Sequence, residues 1–410
     1  MTERPATASV IVVSRGRPAH LRLCLLGLMQ QDHPAFEVIV VADGAGLAQV
    51  QDLGLAAKTC HYEIPNISAA RNLGILRAAG EVVAFIDDDA VPEPTWLSRL
   101  AAPFADRSVA AAGGFVRGRN GISFQWRAQT VDETGHAAPL DIPRAGATLA
   151  GRPGRAIKTE GTNCAFRTDL LCEIGGFDPS YTFYLDETDV NMRLAARGAL
   201  TAIVPLAQVH HGTAPSGRRR ANRAPLTLVD IGASTAVFLR RHATPEVHDA
   251  ALDRLRLDQR RRLLRHMVAG TLEPRDVRHL QHTLEAGIAE GRVRALPVLA
   301  PLPDKGSEPF LPLPDTGPRP GRLFSGWRWQ RERLRQQARA ARAKGEVATI
   351  LCLDPGPGFH RMRFLESGIW EQQGGLCGRS EREGPLIRFW RFECRVAAEL
   401  QRLAELRAMN

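Results

Sequence analysis

Short β-branched apolar runs alternate with helically spaced leucines over the first third of the chain. Ser9-Val10-Ile11-Val12-Val13 reads as a strand, and the segment Ala19 to Gln31 carries leucines at 21, 25 and 28 in helical spacing. Phe36-Glu37-Val38-Ile39-Val40-Val41 is a second buried strand, ending at Asp43-Gly44. A weaker strand from Thr59 to Ile64 leads into a helix from Ser68 to Ala79, and Glu81 to Ile86 is a further strand. Residues 8 to 115 thus have the rhythm of a βαβ sheet, an α/β architecture that binds ligands at the carboxyl ends of its strands. Asp43 and the run Asp87-Asp88-Asp89 both fall at such ends.

From Ala112 to Ile157 glycine-rich and polar segments predominate, read as sheet completion with a variable loop region. Thr162 to Phe166 predicts a strand, Asp169 to Ile174 a short helix, Glu187 to Arg197 a stronger helix, and Thr201 to Pro205 a strand followed by Val209-His210-His211-Gly212. Residues 226 to 294 read as helical, with Leu252, Leu255, Leu263, Leu264 and Met267 in a partial apolar stripe between arginines. Eight prolines between Pro297 and Pro320 mark a linker or an extended wrapping segment. Beyond it, Trp327 to Lys344 predicts an arginine-dense helix, Val347 to Leu353 a strand, Asp354 to Gly358 a turn, and Ile387 to Leu406 an amphipathic helix. The expected organisation is an α/β domain over 1–240, a helical extension over 241–296, a proline-rich linker over 297–321 and a small basic α/β region over 322–410.

At 410 residues the chain exceeds one typical core, consistent with two or three domains. The formal net charge of +10, largely from arginine in the second half, is consistent with an anionic partner: a nucleotide, a phospholipid surface or a nucleic acid. Seven cysteines without zinc-type spacing, and odd in number, argue against a disulfide framework and for a reducing cytosol. Met1 to Ser9 lacks the apolar core of a signal peptide. The longest mostly apolar stretch, Leu226 to Leu239, is too short for a span of about 20 residues and contains Asp230. The expected location is cytoplasmic, with peripheral contact at the inner face of the plasma membrane left open.

Three carboxylates at the end of a buried strand repel one another unless a cation or a hydrogen-bonding ligand lies between them. Alternate side chains of an extended segment share a face, so Asp87 and Asp89 can converge on one ion while Asp88 points elsewhere. Oxygen donors of this kind suit Mg²⁺ or Mn²⁺. A second acidic group, Asp186-Glu187-Thr188-Asp189, opens a helix, where it is either an N-terminal cap cluster or the source of a general base. His210, after a strand end, offers an imidazole that can supplement the two aspartates on Mn²⁺. Small residues at 68 to 70 allow close approach to a ligand, and Arg71 can stack on or bond to a base or phosphate.

The order of these pieces resembles the family 2 glycosyltransferases of the GT-A fold over about residues 8 to 240. The matching segments are Val10 to Val13, Val40 to Gly44, Ala70-Arg71-Asn72-Leu73-Gly74, Phe85 to Asp89, Gly175-Gly176-Phe177-Asp178, Asp186 to Asp189 with Arg193 and Gly198, and His210. The resemblance implies a Rossmann-like mixed sheet flanked by helices and a metal-dependent, inverting transfer from a nucleotide-diphosphate sugar to a glycan, lipid-linked or protein hydroxyl. It places Asp43 at the base or ribose, Arg71 near the base, Asp87 and Asp88 in the donor set, Asp87 and Asp89 as the DxD pair on Mn²⁺ or Mg²⁺, and His210 as the residue completing the metal site. Glu187 takes the base position with Asp186 in reserve, in the order Asp-Glu where many relatives read Glu-Asp. Gly175 to Asp178 is implied to form an acceptor-side loop.

Two other classes compete. A nucleotidyltransferase of sugar-nucleotide synthesis shares paired aspartates on an α/β sheet but wants a glycine-rich phosphate loop, which Ser14-Arg15-Gly16-Arg17-Pro18 only approximates. A non-catalytic binding protein would use Arg218-Arg219-Arg220 and the basic helix after Trp327 on nucleic acid or membrane. No recognised nucleic-acid module is present, so nucleic acid is not an expected partner.

Overall fold

The computed structural model describes residues 4–303 and 308–409. Residues 1–3, 304–307 and 410, which include the start of the Met1 to Ser9 segment and part of the proline-rich stretch, lie outside the described residues.

The first half alternates strand and helix: Ala8–Ser14 (β1), Pro18–Leu28 (α1), Phe36–Ala42 (β2), Gly44–Asp52 (α2), Lys58–His61 (β3), Ile67–Arg77 (α3), Val82–Asp87 (β4) and Ala90–Pro92 (β5). Helix α2, absent from the sequence reading, starts where Asp43 caps the glycine-rich Gly44-Ala45-Gly46 by accepting from the Gly46 amide at 2.8 Å. Trp96–Ala101 (α4) and Val109–Arg117 (β6) follow. The expected variable region then supplies Phe124–Trp126 (β7), Gln129–Asp132 (β8), Ala137–Pro139 (β9), Ala147–Ala150 (β10) and Arg155–Lys158 (β11). Cys164–Arg167 (β12), Thr168–Glu173 (α5), Asp186–Ala196 (α6) and Leu200–His211 (β13) close the sequence of the large sheet.

That sheet runs in the order β10-β13-β6-β12-β4-β1-β2-β3, with β5 paired to β13 and β7 to β6. β4, β1, β2 and β3 are parallel, whereas β12 is antiparallel to both β4 and β6. The result is the expected mixed sheet flanked by helices. Val10 and Val12 pack into one apolar layer with Leu21, Leu25 and Leu28 of α1, and Ile11 packs into the opposite layer with Ala70 and Ile75 of α3. Burial on both faces explains why β1, β2 and β4 read as continuous apolar runs, each Val, Ile or Leu contributing about 1.5–3 kcal/mol. In the register, Val13 of β1 lies opposite Asp87 of β4, and Ser14 lies opposite Ala42 of β2, so Asp43 and Asp87 emerge on the same edge.

Val229–His242 (α7), His248–Val268 (α8) and Pro274–Val293 (α9) form the helical segment. α7 and α9 approach closely because Gly232 and Gly287 face backbone: a Cβ on Gly287 would stand 2.1 Å from the Val229 carbonyl oxygen. The proline-rich segment runs against the large sheet, with the Leu302 amide donating to the Cys172 carbonyl, the Leu313 amide to the Phe36 carbonyl, and Leu313 buried. After it come Gly321–Trp327 (β14), Arg331–Ala343 (α10), Val347–Asp354 (β15), Arg361–Phe364 (β16), Trp370–Gly375 (β17) and Phe392–Arg407 (α11). Their sheet order is β14-β15-β17-β16, parallel except for β16. The last helix begins at Phe392, so Ile387 to Arg391, expected to be helical, precede it as non-helical chain. No helix among the described residues is long and apolar enough to cross a membrane.

Candidate functional site

β4 ends in a turn at Asp88-Asp89 that leads into β5, and β5 pairs antiparallel with the end of β13, setting His211 opposite Ala90. This register brings ligand atoms of Asp87, Asp89 and His211 within 4.8 Å of one another. The His211 ring Nε2 lies 3.2 Å from Asp89 Oδ1, its Nδ1 lies 3.1 Å from Gln125 Oε1, and its face stacks on Trp126 at 5.6 Å. With Nδ1–H donated to Gln125, Nε2 either donates a proton to Asp89 or, once deprotonated, offers its lone pair to a cation held by the carboxylates. Two carboxylate oxygens and one imidazole nitrogen form a donor set that suits Mn²⁺ and accepts Mg²⁺.

His210, the histidine expected there, is directed away. Successive strand residues face opposite sides, so His210 turns to Glu93, with Nε2 2.7 Å from Oε1, and packs on Trp370. Burial holds its pKa down to about 4 despite Glu93. Burial also favours the neutral ring of His211, yet the hydrogen bond and charge of Asp89 outweigh this and raise its pKa.

Asp88, expected in the donor set, is fully buried on the other side of the turn, where Ser14 Oγ donates to it at 2.7 Å and Arg17 Nη2 pairs at 2.6 Å. Desolvation pushes its carboxyl up to about 7, although Arg17 opposes the shift. Asp89 is also desolvated, but His211, Arg17 and the Ala214 amide hold it well below the usual carboxylate range. Its Oδ2 accepts from Ala214 N at 2.7 Å, from Arg17 Nη1 at 3.2 Å and from Arg219 Nη2 at 3.2 Å. Arg17 and Arg219 were each legible only as members of basic runs. In the second run Arg218 turns to Asp230 and Arg220 is exposed, so only the three-dimensional course of the loop singles out Arg219.

Arg71 joins the two acidic groups. The residue is 3% exposed, and its guanidinium pairs with Asp186, reaches Asp87 Oδ1 at 3.4 Å, donates to the Gly161 carbonyl at 2.9 Å, and lies over Phe85 and Phe177. These protein partners occupy the group that was expected beside a nucleotide base. Burial raises the Asp186 carboxyl to about 7 against the pull of Arg71. Glu187 is more open, 3.8 Å from Lys158 Nζ, and lines a cavity of about 450 Å³ together with Asp87, Lys158, Tyr184 and Trp126. Tyr184 and Leu185 precede it with φ of 77° and 65°. Left-handed backbone at two successive non-glycine residues is costly, and it is what turns the chain sharply enough to aim the first turn of α6 into the cavity. Asp189, in the same turn, faces away and binds Arg193 and His242.

Asp43 is half-buried at the expected strand end, its oxygens accepting from the Gly16 and Gly46 amides. Gly175 to Asp178, expected on the acceptor side, lies outside the cavity lining. Gly175 abuts the Leu299-Ala300 stretch, Asn72 brackets Phe177 with two hydrogen bonds, and Asp178 pairs with Arg241 at 2.9 Å. These contacts make it a buried corner.

The glycosyl transferase family 2 sequence model matches residues 9–172. Among curated proteins, the pre-mycofactocin glycosyltransferase of Mycobacterium tuberculosis is 27% identical over 214 residues, which are 50% of this chain and 42% of that protein. The glucosyl-dolichyl phosphate glucuronosyltransferase of Haloferax volcanii is 27% identical over 166 residues, 37% of this chain and 49% of the relative. The chain therefore spans about half or less of the length of these relatives. Among solved structures, the mannosyltransferase PcManGT of Pyrobaculum calidifontis, in complex with GDP-Man and Mn²⁺, aligns with a TM-score of 0.45 at 21% identity, covering 71% of this chain and 88% of that one. The stretch matched by the glycosyl transferase family 2 model, residues 9–172, holds β1 to β12 and the acidic turn.

Proposed function

We propose that the protein transfers a sugar from a nucleotide-diphosphate donor to an acceptor hydroxyl, with a divalent cation and inversion at the anomeric carbon. The observation that carries this reading is the convergence of Asp87, Asp89 and His211 at the edge of a cavity whose lining includes both Asp87 and Glu187. Asp87, Asp89 and His211 would hold Mn²⁺ or Mg²⁺, which when bound neutralises charge developing on the departing diphosphate.

Asp43 lies on the same sheet edge as Asp87, one strand removed across β1, and is the candidate contact for the nucleoside. Arg17 and Arg219 already point at Asp89 and supply positive charge where a diphosphate would sit. Glu187 is the candidate base for the acceptor hydroxyl proton, since Asp186 is engaged by Arg71. Arg71 fixes the spacing between the two carboxylate groups. A base on the face opposite the leaving group gives inversion without a covalent intermediate. The cavity carries Trp126 and Phe183 beside Lys158 and Arg254, a lining suited to a glycan, lipid-linked or protein acceptor.

The test is a panel of nucleotide sugars assayed for metal-dependent thermal stabilisation and for release of nucleoside diphosphate. At least one sugar nucleotide should stabilise the protein with Mn²⁺ and not with chelator. A panel that gives neither stabilisation nor release with any metal would overturn the reading.

A further inference from the structure

The carboxyl edge of the small sheet carries an apolar surface that the transfer chemistry does not use. Between β17 and α11 the chain Leu386-Ile387-Arg388-Phe389 is exposed, with Leu386 60%, Ile387 54% and Phe389 90% accessible. Phe359, in the turn after β15, is 61% exposed, and Trp329, after β14, is 71% exposed. These residues all follow the carboxyl ends of the parallel strands β14, β15 and β17. Ile387 bridges to Gly378, Arg379 lies over the Phe359 ring at 5.4 Å, and Trp329 stacks on Trp327, which packs against Phe392 at the start of α11.

Arginine is interleaved with the apolar side chains. Arg379, Arg382, Arg388 and Arg391 stand in the same segment as Glu381 and Glu383, and Glu383 is already paired with Arg127 at 2.7 Å. Aliphatic and aromatic tips held among arginines match the boundary between acyl chains and anionic headgroups. A sugar-binding platform would instead present flat aromatic faces with amide or carboxylate partners, and a Phe side chain 90% exposed offers no pocket for one. The Glu383–Arg127 pair also sets this surface beside the mouth of the large cavity, because Trp126 and Gln129 on either side of Arg127 line that cavity.

We propose that the 386–391 segment, with Phe359 and Trp329, docks the protein onto an anionic phospholipid bilayer. Phe389, Ile387 and Leu386 enter the interface, while Arg388 and Arg391 pair with lipid phosphates. The surface is independent of the sugar-transfer reading, and its test contains no donor.

The full chain is mixed with vesicles of phosphatidylcholine alone, or of phosphatidylcholine with phosphatidylserine, and binding is read by flotation and tryptophan emission. Binding to the anionic vesicles only, a blue shift on binding and release by salt are expected. Arg388→Gln with Arg391→Gln should lower the partition coefficient roughly thirtyfold, since each basic side chain near such a surface is worth about a factor of five. Leu386→Ser with Phe389→Ser should abolish the blue shift, with the melting temperature of both pairs unchanged because these side chains are exposed. The inference is overturned if the wild-type chain does not float, if both double variants float like wild type, or if Phe389→Ser instead dissolves a dimer seen in the vesicle-free protein. Displacement from vesicles by a soluble neutral glycan would equally overturn it.

Discussion

Arg407, near the end of the last helix, donates two hydrogen bonds of 2.8 Å to Glu93, and both side chains are essentially without solvent contact. Glu93 lies one residue after β5, so the pair ties α11 to the segment that follows the acidic turn. The same carboxylate meets His210, while Arg407 also donates to Thr349 at 2.9 Å and covers the Trp370 ring. The adjacent histidines of β13 therefore serve different ends: His211 faces the candidate metal site and His210 faces the seam with the small sheet.

Arg407→Met leaves the Glu93 carboxylate buried with His210 as its remaining side-chain partner. Removing one member of a buried pair costs about 3–5 kcal/mol, and replacing both members by neutral groups costs less. The Arg407→Met variant should lose that amount in urea titration, and Arg407→Met with Glu93→Gln should recover part of it. Equal losses in the single and double variants would show that the pair itself contributes nothing.

Gln125 accepts from Nδ1 of His211 in the tautomer that frees Nε2. Supporting hydrogen bonds of this kind typically alter metal affinity about 10–100-fold. Gln125→Leu should weaken Mn²⁺ binding to that extent in calorimetry, whereas His210→Gln should leave Mn²⁺ affinity near wild type. If His210→Gln abolished binding and Gln125→Leu did nothing, the assignment of His211 would be wrong.

The parallel half of the sheet was legible because strands buried on both faces are long apolar runs, and the carboxylates stand out at their ends. β6, β14 and β17 were harder. Val109–Arg117 contains Ala and Gly that pack by close approach rather than by bulk, and Trp370–Gly375 is buried with Glu and Gln in it. Glu371 is carried there by Arg331 and Arg335 of α10, a compensation visible only after the chain has folded. Within the site, Asp87 and Asp89 follow from their own spacing. The choice of His211 over His210 depends on which residue of β5 meets which residue of β13, a register that no local pattern specifies. Arg71 was expected at the site and borders the cavity, but its partner is the neighbouring acid Asp186.

Asp186 and Glu187 are adjacent and should respond differently. Glu187→Gln removes the proposed base, which lines the cavity, and the expected loss of turnover is about 10²–10⁴-fold with donor affinity and stability retained. Asp186→Asn disturbs Arg71, which keeps Asp87 and the Gly161 carbonyl as partners. Since burial already holds the Asp186 carboxyl up at about 7, a neutral amide resembles one of its accessible states. Its stability loss should be smaller than that of Arg407→Met, about 1–3 kcal/mol by denaturant titration. A turnover loss confined to Asp186→Asn would transfer the base role to Asp186.

The small sheet should weaken in acid. His360 is buried, Gln372 donates to its Nδ1 at 2.7 Å, and burial and then the Arg395 charge lower its pKa from 6.5 to about 4. A histidine held neutral in the folded protein contributes stability that is complete above its unfolded value and is lost as pH falls through the folded one. Glu399 acts in the same direction at lower pH. Burial opposes its charge, but Arg402, Ser380, Arg395 and Gln372 prevail and lower it from 4.5 to about 2. The His360 contribution, read as the difference in denaturant-titration stability between wild type and His360→Gln, should therefore be constant above pH 6.5 and decline toward pH 4 by on the order of 3 kcal/mol. A further decline should set in below 4.5 from Glu399. His360→Gln has no ring to protonate and should flatten the upper part of the decline while leaving the lower part in place. An unchanged profile in His360→Gln would assign the acid sensitivity to another group.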